Sequence, residues 1–392
     1  MHFQKKGVFV IKEQYKNILT LAESMFEGST PDDPKWHAGS KKKKDRWDYV
    51  DGCMLKGAMD LYHAFEDEKY LNFVRDFIDD CVDENGIIAG YDIEEYNCDH
   101  VNEGKVLFDL YRIYGDEKYK KATELLYKQL QGQPRTKAGN FWHKKIYPNQ
   151  VWLDGLYMAQ PFLIEYDMLF GGKKDYPDSM KQFENVFALM KDEETGLFYH
   201  GYDESKEMFW ADKTTGLSPH FWLRAMGWYA MALVDTVEKL GDELVEEKKT
   251  LSQHLKALID AVLNVMGSDR MLYQVTDLGG REGNYTETSG TLGIAYSIIK
   301  AVRLGILGTE YFDKGLEMFE AVIEEKFLME DGKYVLKDIV LVSGLGGMPG
   351  MGDYQPRDGT FEYYISEPRV KNDGKGVAPL LFTLSEIIRA EY

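Results

Sequence analysis

Asp154 is the residue of this chain best placed to act as a general acid. It lies between Trp152 and Gly155, where an aromatic segment turns into a helical pattern. Surroundings of low dielectric penalise the ionised form of a carboxyl group, so its pKa rises as a general acid requires. The alternative is that Asp154 caps backbone N–H groups at the start of a helix, which would lower its pKa.

Asp99 opens the preceding helical segment as Asp154 opens its own. Neighbouring helices would bring the two carboxylates to one rim, where both cannot ionise cheaply and one pKa rises. Such a pair is the usual equipment of glycosidic chemistry. Capping is again the alternative for Asp99. Asp48, between Trp47 and Tyr49, repeats the pattern more weakly.

His143 and His200 lie in aromatic segments, at residues 141–145 and 198–202. Each is interpreted either as a structural loop histidine or as a substrate contact. No histidine pair has the i, i+4 spacing of a helical zinc site, and cysteine and histidine are not clustered. We therefore expect no metal.

Trp222, Arg224 and Trp228 lie near the start of a fourth helical segment. An arginine beside free N–H groups would favour an anionic ligand such as a uronate carboxylate. The alternative is a salt bridge from Arg224 to an aspartate of the protein. Trp228 is also a candidate for the core.

The glycine-rich segment 343–350 is the remaining motif that suggests a site. It lacks the Lys and Ser/Thr of a phosphate-binding loop and the strand-to-helix context of a dinucleotide site. We expect no cofactor, and we interpret the segment as a loop at the rim of the site.

The composition restricts the partners. The 392 residues carry a formal net charge of −19, which disfavours nucleic acid and anionic membranes. Three cysteines are too few for a disulfide framework. The N-terminus lacks a signal core, and no apolar run approaches a membrane span. The sequence predicts a cytoplasmic protein, with the basic run 41–44 in a solvated loop.

A divergent repeat organises the chain. Residues 62–70 resemble residues 111–119, and residues 304–311 form a weaker copy. In each copy a helix ends, a tight turn follows, and acidic residues open the next helix, where they suit its positive end.

Six helical segments that contain small residues predict an inner layer. They begin near Trp47, Cys98, Val151, Pro219, Glu287 and Val377. Six more polar, amphipathic helices lie between them. This alternation predicts an all-α (α/α)6 barrel of six inner and six outer helices, with short β-hairpins in its loops. We expect one catalytic domain over residues 1–392, with its site at the inner-helix N-termini.

These motifs resemble glycoside hydrolase family 105, the unsaturated rhamnogalacturonyl hydrolases. The resemblance is carried by Asn97-x-Asp99 and by residues 141–145, 151–158, 221–228, 362–364 and 375–379. It implies an (α/α)6 barrel. It also implies a substrate whose non-reducing uronate carries a C4=C5 double bond left by a pectin lyase, which the enzyme removes by hydration.

The resemblance also assigns roles to residues. Asp154 would protonate C4 and then help water attack C5, while Asp99 would hold substrate hydroxyls and keep the pKa of Asp154 high. The uronate subsite would be lined by His143, Trp152, His200, Trp222 and Arg224, with Tyr49 nearby. Trp228 is a further candidate for substrate binding. Arg224 and His200 are the candidates for its carboxylate.

Two other functions remain open at this level. A sugar epimerase or isomerase on the same barrel would use His143 and His200 as its acid and base. A non-catalytic helical scaffold would bind oligosaccharides only. In the hydrolase interpretation the partner is an unsaturated oligosaccharide, and the protein is a monomer or a homodimer.

Overall fold

The computed structural model describes residues 12–38, 47–346 and 356–391. Residues 1–11, for which the sequence predicts no signal core, lie outside these ranges, as do the basic run 41–44 and residues 347–350 of the glycine-rich segment.

Helices dominate the described chain. In chain order they are α1 (Glu13–Phe26), α2 (Tyr49–Phe65), α3 (Glu68–Cys81), α4 (Lys105–Tyr114), α5 (Glu117–Gly132), α6 (Leu153–Tyr166), α7 (Tyr176–Met190), α8 (Leu223–Lys239), α9 (Val245–Asn264), α10 (Thr288–Arg303), α11 (Glu310–Lys326), α12 (Phe361–Ser366) and α13 (Gly374–Glu391). A 3-10 segment, Cys98–Gly104, leads into α4, and a shorter one spans Ile93–Glu95. A π-helical turn, Asp167–Gly171, ends α6.

The inner helices close into a ring. The inner layer is α2, the 3-10 segment with α4, α6, α8, α10 and α13. Each packs against the next, and α13 packs against α2. The outer layer is α1, α3, α5, α7, α9 and α11. The predicted (α/α)6 barrel is therefore confirmed.

Small residues allow the inner helices to approach closely. A Cβ on Gly52 would lie 2.5 Å from the Glu103 Cα on the neighbouring segment. A Cβ on Gly227 of α8 would lie 3.4 Å from the Gly290 carbonyl oxygen of α10. Outer helices bury one face only. In α3 this face includes Tyr70, Val74, Phe77 and Cys81 at the spacing of helical turns.

Three antiparallel strand pairs lie in the loops of the described chain. They are β1 (Gln150–Trp152) with β2 (Gly201–Asp203), β3 (Phe327–Glu330) with β4 (Lys333–Leu336), and β5 (Ile339–Val340) with β6 (Arg369–Val370). Only the β3–β4 pair among these is a hairpin of consecutive strands. The β1–β2 pair instead ties together two loops that precede different inner helices.

Two further observations concern the cysteines and the length of the helices. Cys53, Cys81 and Cys98 are buried free thiols. No helix in the described part of the chain combines the length and apolar character that crossing a membrane requires.

Candidate active site

Asp154 lies in the first turn of α6 and does not cap it. The N-cap residue is Trp152, and no side chain accepts a cap hydrogen bond there. Asp154 Oδ2 is buried without a hydrogen-bond partner among the described residues. Its nearest polar contact is His200 Nε2, at 3.4 Å. The capping interpretation of Asp154 is therefore wrong, and its carboxyl group is available for chemistry.

Asp99 is also not a cap, because Asn97 caps its 3-10 segment by accepting a hydrogen bond from the Asp99 N–H at 3.0 Å. Asp99 Oδ2 lies 2.6 Å from Lys144 Nζ, and Oδ1 lies 3.4 Å from His143 Nε2. Burial alone would raise the pKa of Asp99, but the charge of Lys144, with a smaller contribution from His143, holds that pKa below its usual range. Asp99 is therefore a carboxylate at neutral pH.

Asp48, the weaker third candidate, behaves differently from the other two. Its carboxylate accepts a hydrogen bond from the Val50 N–H at 2.8 Å and so caps α2. Asp48 therefore has the structural role that the other two aspartates lack.

His143 lies against the start of α6. Its N–H donates to the Gln150 carbonyl, and its own carbonyl accepts from Cys98, so the His143 segment is held between two rim loops. The Trp152 ring stacks on the imidazole at 4.7 Å, and a Cβ on Gly155 would lie 2.9 Å from His143 Nδ1.

Burial lowers the pKa of His143 to about 4, so its imidazole is neutral near pH 7. Both Asp99 and Asp154 act on that pKa. The two carboxyl groups therefore lie at the same end of the barrel, around one histidine, as the comparison of their helix-start positions predicts.

His200 is held on both sides of its ring. Nδ1 lies 2.9 Å from the Tyr364 hydroxyl, Nε2 faces Asp154, and the Trp222 ring lies 4.6 Å away. The His200 carbonyl accepts a hydrogen bond from the Leu153 N–H, which ties this loop to the start of α6. Tyr364 therefore belongs to the site, although the sequence alone predicts no role for it. Its segment, residues 362–364, is part of the family resemblance.

Arg224 is a buried cation that contacts neutral oxygens. Its Nη1 donates to the Val340 carbonyl at 2.6 Å and to Ser289 Oγ at 3.2 Å, and Nη2 donates to the Leu341 carbonyl. Among the described residues no Asp or Glu oxygen lies within 4.0 Å of its guanidinium nitrogens. The predicted alternative, a salt bridge to an aspartate, is therefore wrong.

Tyr49 is the first residue of α2. Burial raises the pKa of its phenol well above the usual value, and the charges of Arg224 and Asp99 both act on it. Because Arg224 begins the fourth inner helix and Asp99 the second, the phenol lies within electrostatic reach of both of these helices.

Trp228 lies away from the other site candidates. It is buried further along α8 and stacks on Tyr157 at 4.9 Å, in the core of the barrel.

The described part of the glycine-rich segment packs beside Trp152. Leu345 clusters with Trp152, Trp210 and Ala211, and the Gly344 N–H donates to the Tyr363 hydroxyl at 2.9 Å. Residues 343–346 therefore lie next to the candidate site, as the interpretation of a rim loop requires.

In the described chain the barrel rim thus combines a buried carboxyl oxygen without a hydrogen-bond partner, a charged carboxylate, a buried guanidinium bound by neutral oxygens, and stacked aromatic rings. Proton transfer from one carboxyl group with charge stabilisation by another is the chemistry of glycosidic bond breakdown. Fold and site together define a helical-barrel glycoside hydrolase.

Comparison with known proteins agrees with this class. Residues 23–391 match the model of Glycosyl Hydrolase Family 88, and the chain belongs to this group of glycoside hydrolases. A Clostridium acetobutylicum ATCC 824 structure described as a glycoside hydrolase from family 105 is 42% identical, with a TM-score of 0.86. The alignment covers 95% of this chain and 99% of that one. The family 105 resemblance is thereby confirmed.

Two curated relatives are also similar. Protein Atu3128 of Agrobacterium fabrum is 39% identical over 234 residues, which are 58% of this chain and 97% of the relative. The unsaturated rhamnogalacturonyl hydrolase YesR of Bacillus subtilis is 24% identical over 286 residues, which are 71% of this chain and 77% of YesR.

Proposed function

We propose that this protein removes the 4,5-unsaturated uronic acid from the non-reducing end of rhamnogalacturonan lyase products by hydrating the C4=C5 vinyl ether. The observation that carries this proposal is the buried Oδ2 of Asp154, which faces His200 and lacks a hydrogen-bond partner among the described residues. The substrate class is supported by the similarity to the unsaturated rhamnogalacturonyl hydrolase YesR.

In the first step Asp154 gives its proton to C4 of the unsaturated ring. The π electrons of C4=C5 form the new C–H bond, and the positive charge at C5 is shared with the ring oxygen. The charged carboxylate of Asp99 stabilises this oxocarbenium-like state, because a fixed charge in a site shielded from water acts strongly. Positioned proton transfer contributes on the order of 100- to 10,000-fold to such a rate.

In the second step water attacks C5 and loses a proton to the Asp154 carboxylate, which restores the acid. The product is a hemiketal at C5. Its ring oxygen leaves C5 to give a ketone at C5 and a hydroxyl on C1. The C1 hemiacetal then collapses to an aldehyde and releases the aglycone as an alcohol.

Tyr364 and His200 would orient Asp154 for both steps. Burial raises the pKa of Tyr364 well above the usual value, so its hydroxyl keeps its proton and can donate to His200 Nδ1. The ring proton is then on Nε2, 3.4 Å from Asp154 Oδ2. Donation to Oδ2 would leave Oδ1 to carry the proton that is transferred to C4.

Arg224 would bind the uronate carboxylate. Its positive charge is held by neutral carbonyl and hydroxyl oxygens, so a substrate carboxylate would supply the missing counter-charge. Trp222 and Trp152 would contact the sugar ring, and Tyr49 would lie between Arg224 and Asp99.

The test follows the ultraviolet absorbance of an unsaturated rhamnogalacturonan disaccharide, because hydration destroys the conjugated double bond. We expect wild-type protein to remove the absorbance and Asp154→Asn to slow this by roughly 100-fold or more. Asp48→Asn is the matched control. It makes the same substitution at another inner-helix start, where asparagine remains a good cap, and should keep nearly full activity.

Three outcomes would change the proposal. If Asp154→Asn matched the wild type, the reaction would stand and Asp154 would not be its acid. If wild-type protein acted only on unsaturated glucuronyl substrates, the linkage class would be wrong and the hydration would stand. If wild-type protein consumed neither substrate, the hydrolase proposal would fail.

The epimerase alternative has less support, because the family matches are to glycoside hydrolases. In that alternative His143 would have to be the base, since burial lowers the pKa of its imidazole to about 4. The scaffold alternative predicts that Asp154→Asn leaves oligosaccharide affinity and biological role unchanged. The same variant therefore tests it by a binding measurement.

A further inference from the structure

A second cavity lies at the end of the barrel opposite to Asp154. It has a volume of about 340 Å³ and is lined by residues from all six inner helices. Along α6, Glu165 of its wall is eleven residues beyond Asp154, which corresponds to about 16 Å of helix. The stacked rings of Tyr157 and Trp228 lie between the two levels. The proposed hydrolase reaction does not use this cavity.

The carboxylates of the cavity wall are all engaged by basic groups. Asp60 pairs with Lys56, Glu165 with Lys239 and Arg112, Asp235 with Lys300, Glu238 with Lys300 and Arg303, and Asp109 with Arg112 and His63. Arg389 of the wall pairs with Glu386, outside it, and lies 3.9 Å from Glu238. The negative charges of the wall are therefore largely neutralised before any ligand enters.

Lys105 is the exception among these charges. Within the described chain no carboxylate oxygen lies within 4.0 Å of its Nζ. Nζ instead donates to the Tyr157 carbonyl at 2.6 Å and lies 3.5 Å from the centre of the Tyr157 ring. That carbonyl lacks its usual helical donor because Pro161, four residues on, has no N–H.

Burial is the main reason why the pKa of the Lys105 amine is lowered to about 7. The largest charge contribution comes from Asp235, which raises that pKa, while Lys56 and Lys239 make smaller contributions that lower it. Because Asp235 does not reach Nζ, an anion in the cavity would give the Lys105 ammonium the direct counter-charge that it lacks.

We propose that this cavity binds a small oxyanion, a phosphate or a small carboxylate, with Lys105 as its main contact and Lys56 and Lys239 beside it. A volume of about 340 Å³ accommodates such an ion together with water. This cavity is separate from the site around Asp154. The test of anion binding therefore does not depend on the proposed hydrolase activity.

The test measures the melting temperature as a function of the concentration of inorganic phosphate and, in a separate series, of acetate. Sodium chloride at matched ionic strength is the reference. At pH 6, where Lys105 is protonated, we expect saturating phosphate to raise the melting temperature of the wild type by about 2–4 °C. Lys105→Met should abolish this rise. The control Lys314→Met changes an exposed lysine of α11 and should retain it.

Each outcome decides the proposal. A saturable rise in the wild type and control that is absent in Lys105→Met supports it, and the acetate series shows whether carboxylates are also accepted. Equal rises in all three proteins, or no rise beyond that of chloride, would overturn it. If Lys105→Met does not fold, the effect of phosphate on the melting temperature of the wild-type protein is measured at pH 9 instead. Stabilisation by phosphate that persists undiminished at pH 9, where Lys105 is neutral, would also overturn the proposal.

Discussion

Replacement of Lys144 by methionine should expose the dependence of the site on the charge of Asp99. Lys144 Nζ lies 2.6 Å from Asp99 Oδ2, and the two side chains are 21% and 12% exposed. Methionine keeps much of the length of the lysine side chain and removes its charge. The carboxylate of Asp99 would then keep His143 as a neighbour, without a full positive charge beside it.

The magnitude follows from the loss of a charge-assisted hydrogen bond in a mostly buried setting. Such bonds contribute about 1.5–3 kcal/mol, and removing one partner leaves the other charge uncompensated. We therefore expect the free energy of unfolding at pH 7 to fall by about 2 kcal/mol. The pKa of Asp99 should rise, because burial, which raises it, is then opposed less strongly.

The pH dependence has a defined sign. Lys144 depresses the folded-state pKa of Asp99, so the stability from this pair is fully present above the ordinary aspartate pKa of about 3.9. It is lost as the pH falls through the lower folded-state pKa. The stability difference between wild type and Lys144→Met should therefore be large at pH 7 and shrink below about pH 4.

Two assays check this reasoning. Urea unfolding at several pH values gives the stability difference, and the absorbance assay gives kcat/KM against pH. If ionised Asp99 stabilises the transition state, the acid limb of kcat/KM moves to higher pH in Lys144→Met. The control is Lys145→Met, because Lys145 instead contacts the Glu94 carbonyl. An unmoved acid limb in Lys144→Met, or an equal shift in Lys145→Met, would refute the reasoning.

Three further predictions concern the surroundings of the acid. Tyr364→Phe removes the hydroxyl from His200 Nδ1 and should lower kcat by roughly 10-fold with little change in KM; an unchanged kcat would exclude the orienting role. Gly155→Ala places a Cβ 2.9 Å from His143 Nδ1, so this imidazole must shift, and kcat/KM should fall by roughly 10-fold or more in the absorbance assay. Arg224→Ala should weaken binding of the charged substrate far more than of its reduced, uncharged analogue, as measured by calorimetry; equal losses would remove Arg224 from the carboxylate role.

The helical architecture was predictable because its signals are local. The small residues of the inner helices and the amphipathic faces of outer helices such as α3 are periodic in the sequence. The predicted start near Val151 lies two residues before α6 begins at Leu153, and that near Glu287 one residue before α10. The strand pairs were less predictable, since β1 ends at Trp152 and β2 begins at Gly201, so their pairing depends on contacts between distant segments.

The candidate site was predictable in its residue types and not in their partners. The same local pattern surrounds Asp48, Asp99 and Asp154, yet only Asp48 caps its helix. Trp228 was a substrate-binding candidate because it follows Trp222 closely in the sequence. The rise of the helix carries it into the core, where it stacks on Tyr157.

The sequence by itself determined the helices, their order and the set of polar and aromatic residues that precede the inner ones, because helix formation and amphipathicity depend on near neighbours. Only the tertiary structure decided which of these groups meet. Lys144 reaches Asp99 and Tyr364 reaches His200 across segments distant in the chain. Lys105 contacts the Tyr157 carbonyl, and no carboxylate oxygen of the described residues lies within 4.0 Å of its Nζ. The physical reason is that the protonation and pairing of a charged group depend on distance and burial, which are fixed only when the ring of helices closes.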